Sequence, residues 1–299
     1  MAVKNNIRIS LGPITYYWSE QQISDFYHDI AKTNVDIVYL GEVICAKRRT
    51  QDYNGWLEIG RFLQKQGKQV ILSTLTLIEA QSDIKTIKKI CRNDEFLVEA
   101  NDIATVQILS DLNLPFVTGP SVNIYNSQTL KILQKKGLKR WVMPVELSRQ
   151  TLLDFQQKID FDIETEIFTF GKMPLAYSAR CYTARAYNLS KDDCQYKCID
   201  DSDGKLLKTK EQQKFLNING IQMQSAATSN LLNEIKNEKD ANIDVVRINP
   251  QSKFTPDIIE VFNQTLKENN PINKDKLKKY ILGESCNGYW FNSPGMNLL

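Results

Sequence analysis

The feature that most constrains this chain is a rhythm. Short runs rich in Val, Ile, Leu and Phe alternate with segments of helical periodicity. The runs lie at Ile7 to Ile14, Val35 to Gly41, Gln69 to Leu75, Phe96 to Glu99, Phe116 to Gly119, Arg140 to Met143, Glu164 to Phe170 and Asp244 to Ile248. Continuous apolar runs of this length suit parallel strands buried on both faces. Helical patterns fill most of the gaps, at Ser19 to Thr33, Trp56 to Gly67, Ser82 to Arg92, Asn126 to Gly137 and Ser148 to Ile159. Eight strands with helices between them predict an α/β fold, a closed (β/α)8 TIM-type barrel. An open doubly wound sheet is the alternative.

The 299 residues are expected to form one barrel domain, 1–299. The rhythm breaks after the seventh strand, where 172–228 read as an insertion at one mouth, with two short strand-like runs. Residues 269–299, rich in Asn and Lys, read as a tail packed over the barrel. Tyr289, Trp290 and Phe291 within it are candidates to cover a partner surface.

The insertion carries Cys181, Cys194 and Cys198, spaced C-x12-C-x3-C. Thiolates ligate soft metals, and one loop can bring three to a point. Cys45 is the candidate fourth ligand. It follows the second strand by a few residues, and strand C-terminal ends share the face where barrel sites are built. Cysteines without an export signal read as metal-binding or redox groups rather than disulfides. The single close pair, Cys194 and Cys198, fits an iron–sulfur cluster better than the paired spacing of structural zinc sites, although zinc remains the rival. Cys91 and Cys286 read as packing residues.

The other chemistry is sparse. The only histidine, His28, falls in a helix pattern away from the mouth, so a Ser-His-Asp or Cys-His hydrolase has no base. No glycine-rich nucleotide motif occurs. No catalytic residue is assigned. Lys47, Arg48 and Arg49 follow Cys45 directly and could hold an anionic substrate; Arg180 and Arg185 flank Cys181 and could add to the same positive field, and Glu146 faces the mouth from a strand end. With 38 basic against 35 acidic side chains the net charge is +3, which supplies no electrostatic case for nucleic acid. No apolar run spans a bilayer, and the N-terminus shows no secretory pattern, so a cytoplasmic protein is expected.

The stretch EIFTFGKMPLAYSARC, Glu166 to Cys181, resembles the signature of the U32 peptidase-like family, with its E-x-F-x-x-G core at Glu166, Phe168 and Gly171. The segments IVYLGEVICAKRR, LSTLTLIEA, RWVMPVELSR, PLAYSARCYTAR, VVRINPQ and CNGYW resemble its UbiV branch. The resemblance implies a [4Fe–4S] cluster on Cys45, Cys181, Cys194 and Cys198. It implies a heterodimer with a UbiU-like protein that hydroxylates ubiquinone precursors without oxygen, with prephenate as a candidate hydroxyl donor. Peptidase activity is not expected. Other branches act on RNA bases, and a non-catalytic iron–sulfur scaffold or electron-transfer subunit is the further alternative. The chain departs from the general family signature at one point: where a cysteine follows the core in G-x-x-C, it has Pro174. Cys45 is the expected replacement.

Overall fold

The computed structural model describes residues 7–268 and 277–299. Seven strands, β1 (Arg8–Leu11), β2 (Ile37–Leu40), β3 (Gln69–Ser73), β4 (Leu97–Ala100), β5 (Phe116–Thr118), β6 (Leu138–Val142) and β7 (Glu164–Tyr177), pair in parallel in chain order. An eighth, β11 (Val245–Ile248), pairs in parallel with both β7 and β1 and closes the barrel. Helices α1 (Glu20–Ala31), α2 (Tyr53–Lys65), α3 (Gln81–Cys91), α4 (Ile103–Asp111), α5 (Ser127–Lys135) and α6 (Arg149–Lys158) connect the strands. The (β/α)8 expectation is met, and the open sheet is excluded by the β7–β11 pairing.

Each strand buries two faces, which is why the strands read as unbroken apolar runs. In β2, Val38 and Leu40 join the core under the helices, while Ile37 and Tyr39 meet Ile71, Val117, Val142 and Val245 inside the barrel. Helix starts follow local chemistry. Ser19 caps α1 in a capping box with Gln22, and Asp52, Asp102, Asn126 and Ser148 each accept a first-turn backbone N–H. The sequence left four helices unassigned, α4, α7 (Tyr182–Ala186), α8 (Leu232–Asn237) and α9 (Thr255–Leu266). α4, IATVQILSD, is short and apolar nearly all round, so its periodicity is weak.

The seventh strand differs most from expectation. It runs 14 residues, not seven. Its first half belongs to the barrel. From Phe170 onward it pairs antiparallel with β10 (Gln222–Asn230), which pairs with β9 (Lys214–Asn219) and through it with β8 (Lys205–Lys208). The insertion thus holds three strands of its own where two short runs were read. Gly171 sits at the bend with φ +128°, and a Cβ there would lie 2.8 Å from the Asn249 Cβ, so the motif glycine answers a backbone requirement. In the described part of the tail, β12 (Ser285–Cys286) pairs with β10. Trp290 is buried in the chain's own core, Tyr289 is half-buried and only Phe291 is exposed. This corrects the tail aromatics as a free partner surface; residues 269–276 lie outside the described set.

The barrel interior holds a buried ion network that the sequence reading did not identify. Arg247 donates to Glu166 (2.6 Å) and Glu99 (2.8 Å) and lies 4.0 Å over the Tyr39 ring. Ser10 (2.7 Å) and Tyr39 (2.6 Å) also donate to Glu166, and Arg140 donates to the Tyr39 hydroxyl (3.0 Å). Burial disfavours the Glu166 carboxylate, but Arg247 and Arg140 outweigh it and hold its pKa below the ordinary value. Removing one partner of such a set leaves unpaired buried charge. Arg247→Met should therefore cost about 3–5 kcal/mol at neutral pH, read from urea midpoints. A carboxyl with a depressed folded pKa contributes stability above its unfolded pKa and loses it as pH falls through the folded one, so the difference from wild type should narrow in acid.

Candidate functional site

The four predicted cysteines come from separate pieces of chain and line one narrow cavity at the C-terminal mouth of the barrel, together with Lys47, Arg48, Lys191 and Lys197. No cysteine is in a disulfide. Cys45 lies in the loop after β2, where Glu42 accepts from the Ile44 (2.8 Å) and Cys45 (3.0 Å) amides. Cys181 caps the short α7 (Tyr182–Ala186), its Sγ accepting from the Ala184 amide at 3.4 Å. Cys194 and Cys198 flank a sharp turn in which Gln195 (φ +48°) and Tyr196 (φ +53°) are both left-handed. That conformation costs non-glycine residues about 1–2 kcal/mol each, which the turn bears while both cysteines face the same cavity.

One hairpin turn holds these pieces together. The Gly220 carbonyl between β9 and β10 accepts from the Tyr182 amide (2.8 Å), and the Gly220 amide donates to Thr183 Oγ1 (2.9 Å), which docks α7 and Cys181. On the other side, buried Arg48 donates to Asn219 Oδ1 (2.8 Å) and to the Thr15 carbonyl (2.7 Å), which docks the Cys45 loop. Gly220 has φ +61°, and a Cβ there would stand 2.9 Å from Arg48 Nη2. Lys47 reaches across to the Lys191 carbonyl (2.8 Å) and to Asp192 (3.0 Å). Lys191 ties the same segment to Glu79 and the Ala179 carbonyl. The sequence reading missed Gly220, although Asn219-Gly220 is a hairpin signal.

The other predicted contact residues are dispersed. Arg48 is buried in this clamp rather than open to solvent, because Thr15, Asn219 and Tyr17 enclose it. Arg49 is exposed and faces a cleft of about 370 Å³ between α2 and α3, on the far side of the same loop, with Trp56, Leu75 and Ile87 in its lining. Arg180 and Arg185 are exposed and do not line the cysteine cavity. Glu146 is exposed beyond β6, where it accepts from Tyr125. His28 is exposed on α1, against Phe62 and the Ser24 carbonyl.

Among the described residues no group of three or more His, Cys, Asp or Glu is arranged to hold a metal ion. A cubane cluster asks for something different, one thiolate at each of four irons, spaced around the volume of the cluster. Two observations fit such a group: four thiols share a single cavity wall, and beside them Arg48 Nε is buried with no hydrogen-bond partner. Burial pushes the Cys45 and Cys198 thiols up, against the pull of Arg48. Cys91 and Cys286 lie outside the cavity, wholly buried, and burial pushes each to about 12.

Residues 24–295 match peptidase family U32. The chain belongs to that family. Over 88 residues this U32 chain is 33% identical to tRNA hydroxylation protein P of Haemophilus influenzae. Over 87 residues it is 31% identical to the protein of the same name in Escherichia coli. Each match covers 29% of this chain and 19% of the relative, so the alignment spans about a fifth of those proteins. A solved U32 peptidase structure covers 85% of this chain and 96% of its own at 10% identity and a TM-score of 0.47.

Thiol reactivity should divide five of the six cysteines of this U32 chain. In metal-free protein at pH 8, iodoacetamide should modify half-buried Cys45, Cys194 and Cys198 well before Cys91 and Cys286, whose thiols stay protonated and covered. Peptide mapping by mass spectrometry reads the order. Early labelling of Cys286 would contradict the burial described here.

Proposed function

We propose that this protein carries a [4Fe–4S] cluster on Cys45, Cys181, Cys194 and Cys198 and serves as the cluster-bearing subunit of an oxygen-independent hydroxylase of ubiquinone precursors. The observation that carries the reading is that four unpaired cysteines from distant segments line one cavity beside a buried arginine. The U32 membership and the hydroxylation relatives support the reaction class. The resemblance to the UbiV branch supports the ubiquinone precursor, a UbiU-like partner, a cytoplasmic setting and prephenate as donor. Among the described residues no helix is long and apolar enough to cross a membrane.

When bound, the cluster supplies one-electron chemistry at a potential set by its surroundings. The protein's own contribution is positional. The Gly220 turn and the Arg48 clamp hold the cavity walls, and Val43, Ile44, Ala184 and Ile221 pack an apolar shell around them that limits water. The apolar cleft between α2 and α3, bordered by Arg49, suits a ring substrate carrying an anionic group.

The relatives' names favour a second reading, hydroxylation of a tRNA base. Phosphate binding needs a basic surface, and a net charge of +3 over 299 residues argues for the quinone precursor. Salt-dependent retention on tRNA would reverse that preference.

The ligand set is tested by counting iron in single variants purified without oxygen. Cys45→Ala should lose iron as severely as Cys181→Ala, Cys194→Ala and Cys198→Ala, together with the broad visible absorption of an iron–sulfur cluster. Cys91→Ala and Cys286→Ala should keep both. Full iron in Cys45→Ala, or a colourless wild type, would reject the assignment. The partner is tested by co-expression with a UbiU-like protein, which should give a complex that survives gel filtration.

A further inference from the structure

The buried arginines of this protein are not alike. Arg247 faces two carboxylates at hydrogen-bond distance. Arg140 pairs with Glu164 (2.9 Å) and lies 3.6 Å from Glu166. Arg48 is only 4% exposed, yet its two hydrogen bonds end on neutral oxygens, the Thr15 carbonyl and the Asn219 amide. Its carboxylate, Glu42, stands 3.9 Å away and spends the same oxygen on the amides of Ile44 and Cys45. Arg48 Nε has no partner at all.

A buried charge persists when something of opposite sign meets it. Among the described residues the nearest opposite charge, Glu42, stands 3.9 Å away, and Arg48 forms part of the wall of the cavity lined by the four thiols. The clamp leaves it little freedom, since Thr15, Asn219 and Gly220 enclose the two terminal nitrogens. The cavity therefore carries a fixed positive charge in its wall, which suits an anionic occupant.

A cluster bound by four thiolates carries net negative charge, and more once it takes up an electron. A fixed cation and N–H donor beside it stabilises the more negative, reduced form. We infer that Arg48 is the charge partner of the cluster, a positioning residue that raises its reduction potential, rather than a substrate-binding group. This rests on the cluster reading given above and goes beyond it by assigning the residue that sets the potential.

The test uses the full chain, reconstituted without oxygen with iron and sulfide and titrated with dithionite while the reduced cluster is followed by electron paramagnetic resonance. Iron content and thermal unfolding are measured in parallel. Arg48→Met keeps the bulk and removes the charge; Arg48→Lys keeps the charge. The Met variant should be reduced at a more negative potential than wild type, and the Lys variant should recover most of that shift. Loss of the cluster from Met with retention in Lys would support the same conclusion. A Met variant with wild-type potential, a Lys variant as low as Met, or equal cluster loss from both in a folded barrel would overturn it. In the last case Arg48 would be a clamp alone. A wild type that never takes up a cluster would instead remove the reading on which this one stands.

Discussion

The arrangement of the mouth depends on the continuity of β7, the strand shared by the barrel and the insertion. Its first residues are fixed inside the barrel by Glu166, whose carboxylate meets Arg247, Ser10 and Tyr39. Its last residues carry the antiparallel sheet that leads into Cys181. A strand anchored by buried charge at one end transmits that anchoring to the other, because successive residues of an extended chain have no hinge except where the backbone is special. Gly171 is such a place. There the strand leaves its parallel neighbour and turns to an antiparallel one. The E-x-F-x-x-G motif is thus physically one device. Glu166 anchors, Phe168 packs against Met173, Ala227 and Cys286 beneath the insertion, and Gly171 turns the chain.

The second constraint is the close approach at Gly220. Three segments meet there, the loop after β1 at Thr15, the Cys45 loop through Arg48, and α7 through Tyr182 and Thr183. Most of these bonds use backbone atoms, so their geometry tolerates little drift. The cysteines themselves contribute few of them: Cys181 Sγ caps α7, but the walls are positioned by non-ligand groups. That division matters for a metal site, because walls held independently of the metal reduce the ordering cost of binding.

The barrel was legible in the sequence because parallel strands buried on both faces leave unbroken apolar runs, and β11 stands out as VVRI as clearly as β2 does as IVYL. The buried charges were not legible. Arg247 and Glu99 look like strand-end polar residues, and only the inward turn of their side chains makes them a network. The doubled length of β7 was hidden for a related reason. KMPLAY alternates without a long apolar run, and Pro174 argues against a strand interior. The structure accommodates that proline at a register irregularity opposite Gln224. Cys45 was legible from topology alone, since the end of β2 and the end of the barrel half of β7 open on one face. Arg48 was visible as a candidate for an anionic partner, but its burial was not, because Thr15 and Asn219, which enclose it, are distant in sequence.

Pro174 also bears on how the site is built. The wider family signature, as the resemblance has it, places a cysteine there, on the strand that carries the insertion. Ligands confined to the insertion would brace it internally and leave the barrel loops independent. With Pro174 on β7 and Cys45 on the loop after β2, the cavity is lined from both sides. Any group held by all four thiols then cross-links the barrel to its insertion, and its binding free energy becomes folding free energy for that junction. The clamp at Arg48 spans the same junction. With the proposed cluster bound, the mouth would have two fastenings in parallel, one made by the protein and one made through the cluster. With the proposed cluster in place, Arg48 is where the two would meet, since the residue that closes the protein's own fastening has only Glu42, 3.9 Å away, as a protein counter-charge and also lines the thiol cavity.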